Sequence, residues 1–310
     1  MKEGSGIMLG FSSYLISSLL LLGNLTASVN NATAPSVPAT GPIVIDIGAP
    51  HKAEVLNDFL ESHGLSWPLE SNTIPGLVVR ALPRDMAEIY SSQERKSLFL
   101  RTLLPIVLLE NHRLDEQRKR LNVILQQTTP LTEQQAQWLA ELKKQFRLKG
   151  EISDPEQQST LLRRLDTLPP SLVLAQAAIE SGWGTSRFAQ QGNSLFGQWS
   201  YKANTGLVPD ARNEGANHVV RAFDSLQDSV RSYMRNLNTH TAYRELRLMR
   251  ESMRSQGVNF DSYALAHGLL RYSQRGEAYI EEVQIIIRGN RLTQYDQMSL
   301  AETDSQSTNG

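Results

Sequence analysis

The stretch that most constrains this chain runs from Ser171 to Thr185. Leu172, Val173, Leu174, Ala175, Ala177, Ala178 and Ile179 are apolar at nearly every helical position, so a helix here has no face to give to water and must be surrounded by other elements. Pro169-Pro170 cannot continue a preceding helix, and Ser171 is expected to serve as the N-cap. At the far end Glu180 stands immediately before Gly182-Trp183-Gly184. A carboxylate there lies at the negative end of a helix dipole in apolar surroundings, and both effects raise its pKa. A general acid working near neutrality needs that property. The competing reading is a helix end whose glutamate points to water.

The rest of the chain supplies the surroundings. With 310 residues it holds one large or two ordinary domains. A formal charge of −1 and the lack of a long basic run argue against a nucleic-acid partner. Without cysteine, neither disulfides nor thiolate chemistry is available. The six histidines are scattered with no paired spacing, so no metal and no cofactor is expected.

No charged residue occurs between Glu3 and Asp46, and Ile7 to Leu25 is a hydrophobic run followed by Thr26-Ala27-Ser28. Residues 1–28 therefore read as a secretory signal peptide or a membrane anchor, with the small-residue flank favouring cleavage. Residues 29–50 are small, polar and proline-bearing, as in a linker. Residues 51–155 form a helical N-terminal region. Pro105 is expected to kink its long helix or to start a new one. Glu110, Arg113, Asp115, Glu116, Arg118, Lys119 and Arg120 are expected to form a solvated face. Thr132 with Gln135 carries a capping-box pattern ahead of Trp138, Leu139, Leu142 and Phe146. No candidate site residue falls in this half, which is expected to be dispensable for chemistry.

Beyond the central stretch the chain is aromatic and turn-rich. Trp183, Phe196, Trp199 and Tyr201 are either core filling or flat faces on which sugar rings stack, with Asn193 and Gln198 as hydrogen-bonding partners. Residues 218–223 alternate like a strand and suggest a small β-hairpin, Asp224-Ser225 caps another helix, and residues 299–310 read as a disordered tail.

Gln176-Ala-Ala-Ile-Glu-Ser-Gly-Trp-Gly-Thr-Ser186 followed by Asn193-Ser-Leu-Phe-Gly197 resembles the signature of the endo-β-N-acetylglucosaminidase-like domain, a lysozyme-related glycoside hydrolase family (family 73). The likeness continues through Arg221-Ala-Phe-Asp-Ser225, Ser232-Tyr233, Asn238-Thr-His-Thr-Ala-Tyr243, Tyr272 and Tyr279. Asn236 to His240 with Arg271-Tyr-Ser-Gln-Arg-Gly276, behind a helical half, is similar to the Bax-type proteins of Gram-negative bacteria.

The resemblance implies a mainly α (α+β) protein in which a lysozyme-like α domain with a small β-hairpin, residues 156–298, follows the helical region. It implies hydrolysis of β-1,4 bonds at N-acetylglucosamine in peptidoglycan glycan strands, in the periplasm or from an inner-membrane anchor facing it. Glu180 would protonate the leaving oxygen. In the family a second carboxylate often sits on the hairpin about thirty to forty residues later, where Glu214 is this chain's glutamate and Asp210 and Asp224 compete. The substrate's own N-acetyl group is the alternative nucleophile. Tyr272 matches a family position near the site and either orients sugar or water or packs between helices. Two rival functions share these features: a lytic transglycosylase, and a non-catalytic wall-binding or scaffold protein.

The export reading has a direct check. N-terminal sequencing of the exported protein should begin near Val29 if the run is cleaved, whereas a soluble cytoplasmic protein with Met1 intact contradicts export.

Overall fold

The structure, a computed structural model, describes residue 42 and residues 44–202, 204–210 and 217–302. The sequence's demand for an enclosed helix is met by α5, Pro170–Ser181, in which every residue from Pro170 to Ala178 is buried. The elements before it are β1 (Val44–Asp46), α1 (Ala53–Ser62), β2 (Thr73–Ile74), β3 (Gly76–Val78), α2 (Ser92–Gln126), α3 (Glu133–Gln145) and α4 (Pro155–Arg164). After it come α6 (Arg187–Gly192), β4 (Trp199–Ser200), β5 (Gly206–Leu207), β6 (Val219–Arg221), α7 (Leu226–Thr239), α8 (Arg244–Ser255), α9 (Ser262–Ala266), α10 (Glu277–Gly289) and β7 (Ser299–Leu300). The class is mainly α, with short strands. Helices α2, α9 and α10 and a 3-10 turn at Leu292–Tyr295 surround α5.

Ser171 does not cap α5. Pro169 is the N-cap residue and has no side chain to offer, so the free N–H of Ser171 donates to Asp296 Oδ1 at 2.8 Å, and its hydroxyl donates to Oδ2 at 2.7 Å. Burial raises the Asp296 pKa to about 6, against the lowering effect of those two bonds. A residue far along the chain thus does what a local cap was expected to do.

Helix α2 passes through Pro105 as one 35-residue helix. Proline inside a helix costs about 3 kcal/mol or more. Burying each of Leu103, Leu104, Ile106 and Val107 contributes roughly 1.5–3 kcal/mol, which outweighs it. The capping box at Thr132 and Gln135 forms as the pattern indicated, and Leu139, Leu142 and Phe146 are buried. Trp138 is half-buried instead, with the Arg120 guanidinium 4.4 Å from its ring centre.

The expected solvated face of α2 holds for Asp115, Glu116 and Lys119, which pair with one another at the surface. It fails for Arg118, whose guanidinium donates to the backbone oxygens of Leu162 and Leu165, and for Glu110, which is fully buried. Its oxygens accept from Arg231 Nη2 at 2.8 Å, Arg113 Nε at 2.9 Å and Gln227 Nε2 at 2.9 Å. A buried carboxylate is tolerable only when so fully paired. Because Arg231 and Gln227 belong to α7, this carboxylate ties the N-terminal half to the second half.

Asn111 of α2 makes a second tie. Its Nδ2 donates to Leu168 O at 2.7 Å while its Oδ1 accepts from Leu168 N–H at 3.0 Å, just before α5. One hydrophobic cluster runs from Leu56 to Met298, across the boundary expected near residue 155, and the described residues form one unit. The ends of that unit are also paired. Strand β1, inside the expected linker, runs parallel to β3 with Val44 opposite Gly76. Strand β7, inside the expected tail, runs parallel to β2 with Thr73 opposite Ser299. The expected hairpin is a three-stranded antiparallel sheet with β6 between β4 and β5.

Removing the N-terminal helices should therefore uncover apolar surface on α5 and leave Arg231 without Glu110. A fragment of residues 155–298 is expected to show no cooperative calorimetric transition, and cooperative melting near the full chain's Tm contradicts the shared core.

Candidate active site

Gln176 and Glu180 interrupt the apolar run of helix α5, one turn apart. Gln176 is fully buried, and Glu180 is half-buried on the last turn. Their partners come from α7 and α10. The Tyr233 hydroxyl donates to Gln176 Oε1. Gln176 Nε2 donates to the Tyr279 oxygen at 2.9 Å, and the Tyr279 hydroxyl donates to Glu180 Oε1 at 2.7 Å. The chain of donors points one way, toward the carboxyl group. Burial raises the pKa of both tyrosines, so each stays a neutral phenol that can donate.

Burial also raises the pKa of Glu180, as the sequence suggested. The Tyr279 hydrogen bond works in the opposite direction by favouring the carboxylate. The Glu282 carboxylate raises it further and Arg275 lowers it, and these two form an ion pair at 2.5 Å. With Oε1 held by Tyr279, the other oxygen faces Gly197, where an added Cβ would lie 3.8 Å from it. This arrangement leaves Oε2 as the oxygen able to present a proton to a bound molecule.

The turn that follows fixes where Glu180 ends. Gly182 N–H donates to Ile179 O at 3.3 Å and Trp183 N–H to Ala178 O at 2.9 Å, the paired bonds of a Schellman closure. Gly182, Trp183 and Gly184 all have positive φ, at 58°, 56° and 81°. At Trp183 this backbone costs roughly 1–2 kcal/mol, because the residue carries a Cβ. Its ring lies edge-on to Phe99 at 5.8 Å between centres, and Lys96 Nζ lies 5.0 Å from the ring centre. Contacts of these kinds contribute about 0.5–1.5 and about 1 kcal/mol, a sum of the same size as the backbone cost. Gly184 admits no side chain, since a Cβ would come within 2.6 Å of Leu82 Cδ1 and 3.1 Å of Phe99 Cδ2.

The remaining expected site residues divide. Tyr272 does not bond Glu180; its hydroxyl donates to Phe196 O at 3.1 Å, and its ring stacks on Tyr279 at 5.3 Å between centres. It therefore braces both the Phe196–Gly197 segment and the phenol that touches Glu180. Phe196 is core, stacked 3.9 Å from Tyr233. Asn193 spends its amide on Phe223 O at 3.1 Å and takes a left-handed backbone at the end of α6. Gln198 Nε2 donates to Ser232 O at 3.4 Å, while its buried Oε1 has no partner among the described residues. Trp199 and Tyr201 are 60% and 70% exposed, with Trp199 stacked on His218 at 4.3 Å. Glu214 lies outside the described residues. Of its competitors, Asp210 pairs with Arg187 at 3.0 Å and Asp224 is exposed.

Tyr279, Gln176 and Tyr233 escaped selection from sequence as site residues. Gln176 did carry a local signal, a lone amide one turn before Glu180 on an apolar helix. Tyr279 is 99 residues from Glu180, and nothing in its own neighbourhood marks it as the partner.

Residues 158–292 match the family model described as Glucosaminidase, mannosyl-glycoprotein endo-beta-N-acetylglucosaminidase. Protein bax of Escherichia coli (strain K12) is 32% identical over 204 residues, 63% of this chain and 69% of that protein. Among solved structures, the catalytic domain of the autolysin Auto from Listeria monocytogenes is 20% identical over 58% of this chain and 97% of its own. Its TM-score of 0.33 is too low to transfer positions from one chain to the other.

The Tyr279 bond sets the sign of one pH effect. Tyr279→Phe removes a donor that favours the ionised carboxyl, so Glu180 should hold its proton to higher pH. The basic limb of the kcat against pH profile is expected to move upward in pH, and an unmoved or downward limb contradicts the assignment.

Proposed function

The chain belongs to the glucosaminidase family, and on that premise we propose that it hydrolyses β-1,4 bonds at N-acetylglucosamine in peptidoglycan with Glu180 as the general acid. The observation that carries this reading is the Glu180 carboxyl itself. Burial keeps it protonated to higher pH than an exposed glutamate, Tyr279 engages one oxygen, and the other faces Gly197.

In this mechanism the Glu180 proton passes to the departing glycosidic oxygen as the C–O bond breaks. Positive charge then develops on the sugar ring, and a negative or nucleophilic group must meet it. Glu214 is the proposed carboxylate for that role, and the substrate's own acetamido oxygen is the alternative. The exposed rings of Trp199 and Tyr201 offer faces for stacking on the glycan. The peptidoglycan part of the proposal rests on the resemblance to cell-wall glucosaminidases and on the export signal read at residues 1–28. It places the protein in the periplasm. No helix among the described residues is long and apolar enough to cross a membrane, and the hydrophobic run from Ile7 to Leu25 lies outside them.

Purified protein should release fragments with reducing N-acetylglucosamine ends from peptidoglycan, read by mass spectrometry. Glu180→Gln keeps the side-chain volume but cannot supply the proton, so turnover should fall by about 10²–10⁴-fold with folding intact. Glu214→Gln should cost comparably if that carboxylate meets the cation, and almost nothing if the acetamido group does. Near-wild-type turnover by folded Glu180→Gln would falsify the acid assignment. Reducing N-acetylmuramic acid ends would identify a muramidase, anhydro ends a lytic transglycosylase, and binding without turnover a wall-binding protein.

A further inference from the structure

The stretch matched to the glucosaminidase family begins at residue 158, yet the turn that ends the acid-bearing helix is held by residues that precede it. Trp183 follows Glu180 by three residues, its backbone is left-handed, and its ring is flanked by Phe99 and Lys96 of α2. Phe99 is fully buried and belongs to the core. Lys96 is half-buried, makes no ion pair among the described residues, and places its Nζ 5.0 Å from the Trp183 ring centre.

We infer that Lys96 is a positioning residue for the glycosidase reaction: its ammonium group, attracted to the Trp183 ring, holds that ring to α2 and so keeps the Gly182-Trp183-Gly184 turn closed behind Glu180. The inference rests on the proposed general-acid role of Glu180. The coupling is short and physical. Trp183 N–H closes the last turn of α5 on Ala178 O, and Glu180 lies inside that closed turn. A left-handed backbone at a residue with a Cβ persists only while surrounding contacts hold it. Without the cation over its face, Trp183 relaxes toward ordinary backbone, the closing bonds open, and the Glu180 carboxyl drifts from the oxygen it must protonate. A proton donor misplaced in this way lowers the rate of the bound complex and leaves substrate affinity alone. The N-terminal half is then part of the catalytic apparatus although it contributes no group that touches substrate.

The test is made in the full chain with Lys96→Met, which keeps the length and apolar stem, and Lys96→Arg, which restores a cation able to stack on the ring. Lys96→Met should lower kcat about threefold to tenfold on peptidoglycan with KM within about twofold of wild type. Its calorimetric Tm should stay within about 2 °C, and Lys96→Arg should regain at least about half of the wild-type kcat. An unchanged kcat in Lys96→Met overturns the inference. So does a change confined to KM, which would make Lys96 a substrate contact, a Tm loss beyond about 5 °C, which would make it a fold determinant, or an arginine variant as impaired as the methionine one. Wild-type protein without turnover overturns the hydrolase reading and this role together. Active wild type with inactive Glu180→Gln keeps the first intact whatever Lys96 does.

Discussion

The described structure is arranged around the fact that α5 has no wet side from Pro170 to Ala178. A helix exposed on one face can let its polar groups find water, and its neighbours need cover only the other. Here Gln176 has no solvent to turn to, so its amide must be satisfied by Tyr233 and Tyr279 from two other helices. The same enclosure that demands those partners also raises the pKa of Glu180. Stability and chemistry therefore depend on the same packing.

Enclosing one helix requires several segments, and the chain draws them from both sides of α5. Helix α2 precedes it; α7, α9 and α10 follow it. Three of the ties between these segments are polar and specific: Asn111 to the backbone at Leu168, Glu110 to Arg231, Ser171 to Asp296. Apolar packing alone would allow sliding, whereas each of these bonds fixes a register. The three left-handed residues Gly182, Trp183 and Gly184 follow closely after Glu180, and they sit against Leu82 and against Phe99 of α2, with Gly184 too close to both for a side chain.

What could be read from sequence was what is local. The apolar run, the glutamate before Gly-Trp-Gly, the capping box at Thr132 and the cap at Ser225 each declare themselves within a turn or two of chain. Glu110 could not be told from Asp115 or Glu116, because all three stand among charges on one long helix, and only the arrival of Arg231 decides which is buried. Asp296 and Tyr279 were invisible in their roles for the same reason: each partner is about a hundred residues or more away. Strands β1 and β7 fell in stretches that read as linker and tail, since two or three residues of backbone pairing carry no periodic pattern. Phe196 and Trp199, three residues apart, show the limit from the other direction: residue type alone did not say that one ring is core and the other exposed.

The pairing of β2 with β7 has a kinetic side. Thr73 lies opposite Ser299, so this contact closes a loop that takes in almost the whole unit. Contacts so far apart in sequence form late, because their loop-closure entropy must be met before they stabilise anything. Helix α5 likewise cannot be enclosed until α10 has been synthesised. A chain that stops short of α10 thus lacks one wall of its own core, and the unit cannot complete its packing until its last helix and the strand near residue 300 are in place.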